Sequence, residues 1–153
     1  MPVTADVGIC AHPREILLNT GAAARVRIKG IQHYYLFDFN SRPVAGWEIE
    51  SARLRLKAAR GNLRRAAVCT VPVPWPEGSG RGQPVIGAAC FTHAELSRRA
   101  WTPFGGTFLD ATFNSRHSRW RSAEVRQADG WWEIPLDPAL VEAVAAGLSY
   151  GLV

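Results

Sequence analysis

The chemically most distinctive segment of the sequence, residues 114–121, reads Asn-Ser-Arg-His-Ser-Arg-Trp-Arg. Guanidinium, amide and imidazole groups can hydrogen-bond the hydroxyls of a sugar, and an aromatic ring can pack against its apolar face. The segment is too polar to be core, and its candidate ligand-binding residues are Asn114, Arg116, His117, Arg119 and Trp120. The structural alternative is a solvated loop whose tryptophan folds back into the core.

A second candidate site combines Trp131, the first of two adjacent tryptophans, with a basic strand. Residues 52–58 alternate small or aliphatic side chains with Arg53, Arg55 and Lys57. This period of two is typical of a strand with one buried and one solvated face. If Trp131 shares the solvated face, it is either a binding platform beside these cations or a ring that only stacks against an arginine.

The sequence contains no recognisable catalytic motif. Neither Gly-x-Ser-x-Gly nor His-Glu-x-x-His occurs, and the four histidines are dispersed. A glycosidase needs two carboxylates about 5–9 Å apart across the bond that it cleaves, and no spacing here brings such a pair together. The carboxylates that would have to meet in a cleft are two of Asp38, Glu77, Asp110 and Glu133. We therefore expect no enzymatic activity, although a catalytic domain could be attached.

Metal and disulfide chemistry are weakly indicated. Asp110 and Asp38 are the candidates for a structural calcium ion, held by carboxylate and backbone oxygens, but no Asp-rich loop is present. Otherwise we expect no cofactor. The three cysteines fit no metal-binding spacing, and an odd number allows at most one disulfide. Cys69 is expected to be a buried small hydrophobic residue, and a bridge between Cys10 and Cys90 stays open.

Composition places the chain among globular proteins of one domain. It has 153 residues, 47% of them hydrophobic, and a net charge of +5. Its isoelectric point is about 9.6, and nearly all its basic residues are arginines. No compact Lys/Arg run occurs, so we expect no nucleic-acid partner. No apolar stretch is long enough to span a membrane, and the N-terminus lacks the pattern of a signal peptide.

The elements that must position these residues are mostly short strands. Residues 32–39 and 48–59 read as a hairpin joined by turn residues, and 63–71 and 130–136 as further strands. Shorter strands are expected at 16–18, 24–29 and 149–153. Helices are expected at 91–99, from a Thr-x-x-Glu capping box, and at 137–146, from an Asp cap followed by Pro. The sequence therefore predicts an all-β fold, a β-sandwich or jelly roll with long loops and one or two short helices.

Ordered motifs along the chain resemble the DNRLRE family, a carbohydrate-binding-module-like β-sandwich. The resemblance covers roughly residues 15–153. It is carried by the "LFDF" and "SARLRL" strands within 34–59, Trp75–Gly78, Trp101–Gly106 with Asp110–Thr112, Trp132–Leu136, and Tyr150–Leu152. Family members continue past the Tyr-Gly-Leu strand, whereas this sequence ends at Val153. We therefore expect residues 1–153 to be one module from a longer multidomain protein.

The resemblance implies a non-catalytic module that binds polysaccharide. Its location would be extracellular or at the cell surface, with the neighbouring domains of the same protein as its other partners. The ligand would be held by an aromatic platform and by arginine and asparagine hydrogen bonds. The alternative is a structural spacer or protein-interaction module with the same fold and no sugar binding.

Overall fold

The computed structural model describes residues 1–59, 61–113 and 118–153, apart from the side chains of Ile31 and Trp120. Its strands are Val3–Cys10 (β1), His33–Phe39 (β2), Ala52–Lys57 (β3), Arg65–Cys69 (β4), His93–Glu95 (β5), Arg99–Ala100 (β6), Trp120–Glu124 (β7), Arg126–Ala128 (β8) and Trp131–Leu136 (β9). Its α-helices are Phe108–Thr112 (α1) and Pro138–Ala145 (α2), and short 3-10 turns lie at Gly30–Gln32 and Arg42–Val44.

The strands pair in antiparallel fashion. β1 pairs with β2, β9 lies between β3 and β8 in a three-stranded sheet, β4 pairs with β7, and β5 pairs with β6. Strands in antiparallel sheets, together with two short α-helices in the described residues, confirm the predicted all-β class. None of the described helices has the length and apolar character needed to cross a membrane.

The alternation in β3 is confirmed. Leu54 is buried and Leu56 partly buried, whereas Arg53, Arg55 and Lys57 are exposed. The apolar side chains contribute to the hydrophobic core, so burial of one face sets the orientation of the strand. The three cations consequently project together from the outer face of the sheet.

The predicted hairpin between residues 32–39 and 48–59 is wrong, although both strands exist. β2 pairs with β1, and β3 pairs with β9, so the two strands belong to different sheets. An alternating pattern determines which face of a strand is buried, but it carries no information about which strand lies alongside.

The helix predicted over residues 91–99 is also wrong, because this segment forms the β5–β6 hairpin. The side chains that suggested a capping box make other contacts. Thr92 Oγ1 lies 2.9 Å from Nδ1 of His93, and the carboxylate of Glu95 forms an ion pair of 2.6 Å with Arg99. A capping-box sequence therefore does not specify a helix when its side chains find partners elsewhere.

Other short elements differ from the prediction as well. Residues 16–18 and 24–29 form turns and irregular chain, while β1, which no pattern indicated, is a strand of 8 residues. The last strand expected at 149–153 is reduced to isolated bridges made by Leu152. The predicted segments are too short to show a hydrophobic period, so tertiary contacts decide whether each one forms a strand or a loop.

The C-terminal helix is confirmed. Asp137 Oδ1 accepts a hydrogen bond of 3.0 Å from the backbone N–H of Ala139, and Pro138 occupies the first turn. Gly147 follows the helix with φ of 70°, the left-handed conformation that ends many helices. α1, which the sequence did not indicate, has its own capping box between Thr107 and Asp110.

Two hydrophobic clusters lie on opposite faces of β2. The first contains Leu36 with Val7, Ile9, Val71, Ala89, Phe91, Ala94, Trp101, Phe108 and Ala111. The second contains Phe37 and Phe39 with Leu54, Val68, Ile134, Leu136, Leu140, Val141, Val144 and Leu152. Because β2 contributes to both clusters, the two halves of the core share one strand.

The cysteines are free and buried. Cys69 is 1% exposed, as expected for a small core residue, and Cys90 is also 1% exposed. Cys10 and Cys90 therefore do not form the bridge that the sequence left open. The fold of the described residues is held by packing and hydrogen bonds.

Candidate functional site

The outer face of the β3–β9–β8 sheet gathers charged and aromatic side chains from three strands. The register places Arg55 opposite Glu133 and Lys57 opposite Trp131, and β8 adds Arg126 opposite Glu133. Directly opposite residues in a sheet project from the same face. The basic face is defined here as Arg53, Arg55, Lys57, Arg126, Trp131 and Glu133.

Contacts within the basic face order its cations. Arg55 Nε lies 3.1 Å from Oε1 of Glu133, and Arg53 lies 3.8 Å from Oε2 of the same carboxylate. The guanidinium carbon of Arg55 and Nζ of Lys57 are each 5.1 Å from the centroid of the Trp131 ring, within cation–π range. Trp131 therefore lies beside the basic strand, and its ring stacks against two cations.

The charges of the basic face are not neutralised. Four cations face one carboxylate, and the side chains of Arg53 and Arg55 are 69% and 54% exposed. Exposed ion pairs contribute little stability and are readily exchanged for other partners. An anionic ligand could therefore bind these arginines in place of Glu133 or beside it.

The first predicted site, residues 114–121, is only partly described. Asn114, Arg116 and His117 lie outside the described residues, as does the side chain of Trp120. The backbone of Trp120 pairs with Cys69 in the β4–β7 sheet, and Arg119 is exposed, its backbone N–H donating to Oγ1 of Thr70 at 2.9 Å. Trp120 thus belongs to a different sheet from the one that carries the basic face.

The two candidate calcium ligands, Asp110 and Asp38, both accept hydrogen bonds from nearby residues of the chain. Asp110 Oδ2 accepts hydrogen bonds from the N–H and hydroxyl of Thr107, at 2.7 and 2.8 Å. Asp38 Oδ1 accepts from the N–H of Phe39 at 2.8 Å. Neither belongs to a described group of converging metal-binding side chains.

Two carboxylates do approach each other beside the β1–β2 ribbon. Glu77 Oε1 accepts a hydrogen bond of 3.0 Å from the backbone N–H of Asp6, so Glu77 ties its loop to β1. Burial and the nearby Glu77 carboxylate raise the pKa of Asp6, while a hydrogen bond with Tyr35 lowers it. Burial also raises the pKa of Tyr35, so the phenol stays protonated and donates to Asp6.

Because the pKa of Asp6 is raised, we expect the stability of the fold to depend on pH. The folded state binds the proton more tightly than the unfolded chain, so the associated stability is present at low pH and is lost as the pH rises through the folded-state pKa of Asp6. Asp6→Asn keeps an acceptor for Tyr35 and removes the titration. In urea unfolding from pH 3 to pH 7, the variant should gain stability relative to wild type as the pH rises.

The control for that experiment is Asp129→Asn, in the exposed turn between β8 and β9, where asparagine also tolerates the positive φ of 51°. Its stability relative to wild type should not follow the same trend. Parallel pH profiles for wild type and Asp6→Asn would show that the raised pKa of Asp6 does not contribute to stability.

Two cavities lie beside β3. The smaller, of about 260 Å³, is lined by Arg53 of the basic face as well as by Leu54. The larger, of about 540 Å³, is lined by Leu54 and Leu56. Most of its wall is aliphatic or aromatic, with His33 and Arg65 among the polar contributors. The larger cavity is therefore a mainly apolar space beside the aliphatic side chains of β3.

Sequence reasoning missed a cluster formed by Cys10, Glu15 and His33. Their ligand atoms lie within 4.8 Å of one another, and Nε2 of His33 is 3.6 Å from Oε2 of Glu15. Burial raises the pKa of the Cys10 thiol, which also donates a hydrogen bond to Glu15. A protonated, buried thiol is a poor nucleophile, so this cluster is not arranged as an activated cysteine–histidine pair.

The fold and these sites define an all-β protein with a cationic sheet face. Comparisons with models of known families, with curated proteins and with solved structures gave no match. The resemblance to DNRLRE modules therefore rests on the ordered motifs of the sequence.

Proposed function

We propose that this chain is a non-catalytic module that binds an acidic polysaccharide on the basic face. The observation that carries the proposal is the row of exposed cations along β3, held in place by Trp131 and Glu133. Alternate residues of a strand lie about 7 Å apart on one face. Such a row suits a polymer that repeats its carboxylate or sulfate groups.

The proposal includes the finer fold and setting that the sequence indicates. The arrangement would be a β-sandwich of the DNRLRE type, in an extracellular or cell-surface protein with further domains. Support comes from the second hydrophobic cluster, in which Phe37 of β2 and Leu54 of β3 pack together although the two strands belong to different sheets. Packing of inner sheet faces around a common core is characteristic of sandwiches.

Recognition would depend on charge more than on stacking. The Trp131 ring contacts the guanidinium of Arg55 and the ammonium of Lys57, so the ring positions these cations. Arginine can donate two parallel hydrogen bonds to a carboxylate or sulfate, which fixes the orientation of the ligand. Neutral glycans lack the group that these cations recognise.

Affinity electrophoresis tests the proposal. Wild type should be retarded in gels that contain a uronate or sulfated polysaccharide and not in gels with a neutral one, and salt should weaken the retardation. Arg55→Ala/Lys57→Ala should weaken binding about tenfold or more, since each lost contact contributes about 1 kcal/mol. The control is Arg25→Ala/Arg81→Ala, which removes equal charge from exposed positions outside the basic face.

The remaining variants and probes separate the alternatives. A larger loss from Trp120→Ala than from the Arg55/Lys57 pair would place binding on residues 114–121 instead. Absence of retardation on every acidic and neutral glycan would favour the spacer module and refute the proposal. Equal retardation by single-stranded DNA would identify a general polyanion surface and refute the assignment to polysaccharide.

A further inference from the structure

Three metal-binding side chains come together at the end of the β1–β2 ribbon where β1 ends and β2 begins. Cys10 ends β1 and lies directly opposite His33, the first residue of β2, so both side chains project from one face. The chain then turns: the N–H of Glu15 donates to the carbonyl of His12 at 2.7 Å, and this turn folds the Glu15 carboxylate back over the pair. Backbone pairing therefore fixes two members of the cluster, and a tight turn supplies the third.

The polar atoms of the cluster are incompletely satisfied by protein. The His33 side chain is only 11% exposed, and its Nδ1 is buried with no hydrogen-bond partner among the described residues. Buried polar groups in proteins are almost always paired. Nε2 of the same ring faces Glu15 at 3.6 Å, so the imidazole has one nitrogen beside the carboxylate and a second nitrogen without a partner among the described residues.

We propose that Cys10, Glu15 and His33 form a binding site for a zinc-type divalent cation. Thiolate, imidazole and carboxylate are the donors that Zn²⁺ accepts, whereas Ca²⁺ and Mg²⁺ prefer sites made of oxygen alone. One thiolate and one carboxylate balance the two positive charges of the ion. Three protein ligands leave the fourth tetrahedral position to water.

The geometry requires only a small contraction. Ligands about 2.0–2.3 Å from a tetrahedral ion lie roughly 3.3–3.8 Å apart, compared with the limit of 4.8 Å that the three atoms satisfy here. Glu15 is partly exposed and lies in a turn, so it can move toward the ribbon. Binding breaks the S–H bond of Cys10, the thiolate sulfur bonds the ion, and the proton leaves to solvent.

Zn²⁺ and Co²⁺ titration of the whole chain, after stripping with a chelator, tests this site. Elemental analysis should find one Zn²⁺ per chain, and Co²⁺ should produce the charge-transfer absorption of a thiolate ligand. Cys10→Ser and His33→Ala should each weaken Zn²⁺ binding at least about 100-fold, since even an outer-sphere change costs 10–100-fold. Cys90→Ser removes another buried thiol and should leave binding unchanged.

A further variant keeps the test decisive if the buried substitutions prevent folding. Glu15→Gln changes a partly exposed side chain, so the variant should fold, and it should weaken Zn²⁺ binding about tenfold or more. Failure of wild type to bind Zn²⁺, or equal binding by wild type and Glu15→Gln, would overturn the proposal. So would loss of the Co²⁺ thiolate absorption in Cys90→Ser with its retention in Cys10→Ser.

Discussion

Asn19→Ala should lower the free energy of unfolding by about 3–5 kcal/mol, because it removes a buried hub of hydrogen bonds. Asn19 is 1% exposed. Its Nδ2 donates to the carbonyls of Glu77 and Ala89 at 2.7 and 2.9 Å, and its Oδ1 accepts from the N–H groups of Gly80 and Gly21 at 2.8 and 3.2 Å. Alanine would leave these backbone groups without a partner, and urea unfolding monitored by tryptophan fluorescence measures the loss.

The control is Asn40→Ala, which removes an exposed asparagine whose side chain accepts one bond, from the N–H of Arg42 at 3.2 Å. Its effect should stay within about 0.5 kcal/mol, as for most surface substitutions. If both variants lose less than about 1 kcal/mol, the network around Asn19 does not stabilise the long loop between β4 and β5.

Phe108→Ala should cost about 3–5 kcal/mol of stability through the loss of a large core side chain and the cavity left behind. Phe108 is fully buried. Its ring meets Trp101 edge to face, with 5.1 Å between centroids, and lies 5.4 Å from the ring of Tyr34. Thermal unfolding should show a fall in Tm of about 6–20 °C, since 1 kcal/mol corresponds to about 2–4 °C in a domain of about 150 residues.

Phe104 provides the matched control on the same stretch of chain, because its side chain is 99% exposed. Phe104→Ala should change stability by no more than about 0.5 kcal/mol. Comparable losses in the two variants would contradict the assignment of Phe108 to the centre of the first hydrophobic cluster.

Local patterns in the sequence were sufficient where a short segment determines its own conformation. Alternation over residues 52–58 predicted both the strand β3 and its exposed cations. Asp137 and Pro138 predicted the start of α2, because a side-chain cap and a fixed φ act within one turn. The β8–β9 connection also has a local signal: Asp129 and Gly130 have φ of 51° and 75°, and Asp-Gly is a strong hairpin signal.

Strand pairing was the part that could not be predicted. β2 and β3 are consecutive in the sequence but do not pair with each other. β2 pairs with β1, the strand before it, and β3 pairs with β9, near the C-terminus. The partner of a strand depends on packing of the whole core, here on the two clusters that flank β2. Leu36 belongs to the first cluster and Phe37 to the second, so β2 lies between the two clusters.

Both candidate sites depend on strand pairing, which the sequence did not predict. The sequence left open whether Trp131 shares the face of Arg55, and the β3–β9 register is what brings the ring and the cation together. The metal-binding cluster depends on β1, which the sequence did not indicate, and on the pairing of Cys10 with His33. The nearness of Cys10 to Glu15 along the chain was the one available signal, and by itself it identifies no ligand set.

The buried thiols of Cys69 and Cys90 allow local opening of the structure to be measured as a rate of reaction with a thiol reagent. A thiol reagent can reach Cys69 or Cys90 only when the surrounding structure opens, and burial raises the pKa of Cys69 to about 11. The carbonyl of Cys90 accepts the Trp101 indole N–H at 2.8 Å, whereas the N–H of Cys69 donates to the carbonyl of Val153 at 2.8 Å. Labelling rates at these positions in the unaltered chain therefore report separately on the aromatic cluster and on the docking of the C-terminal residues.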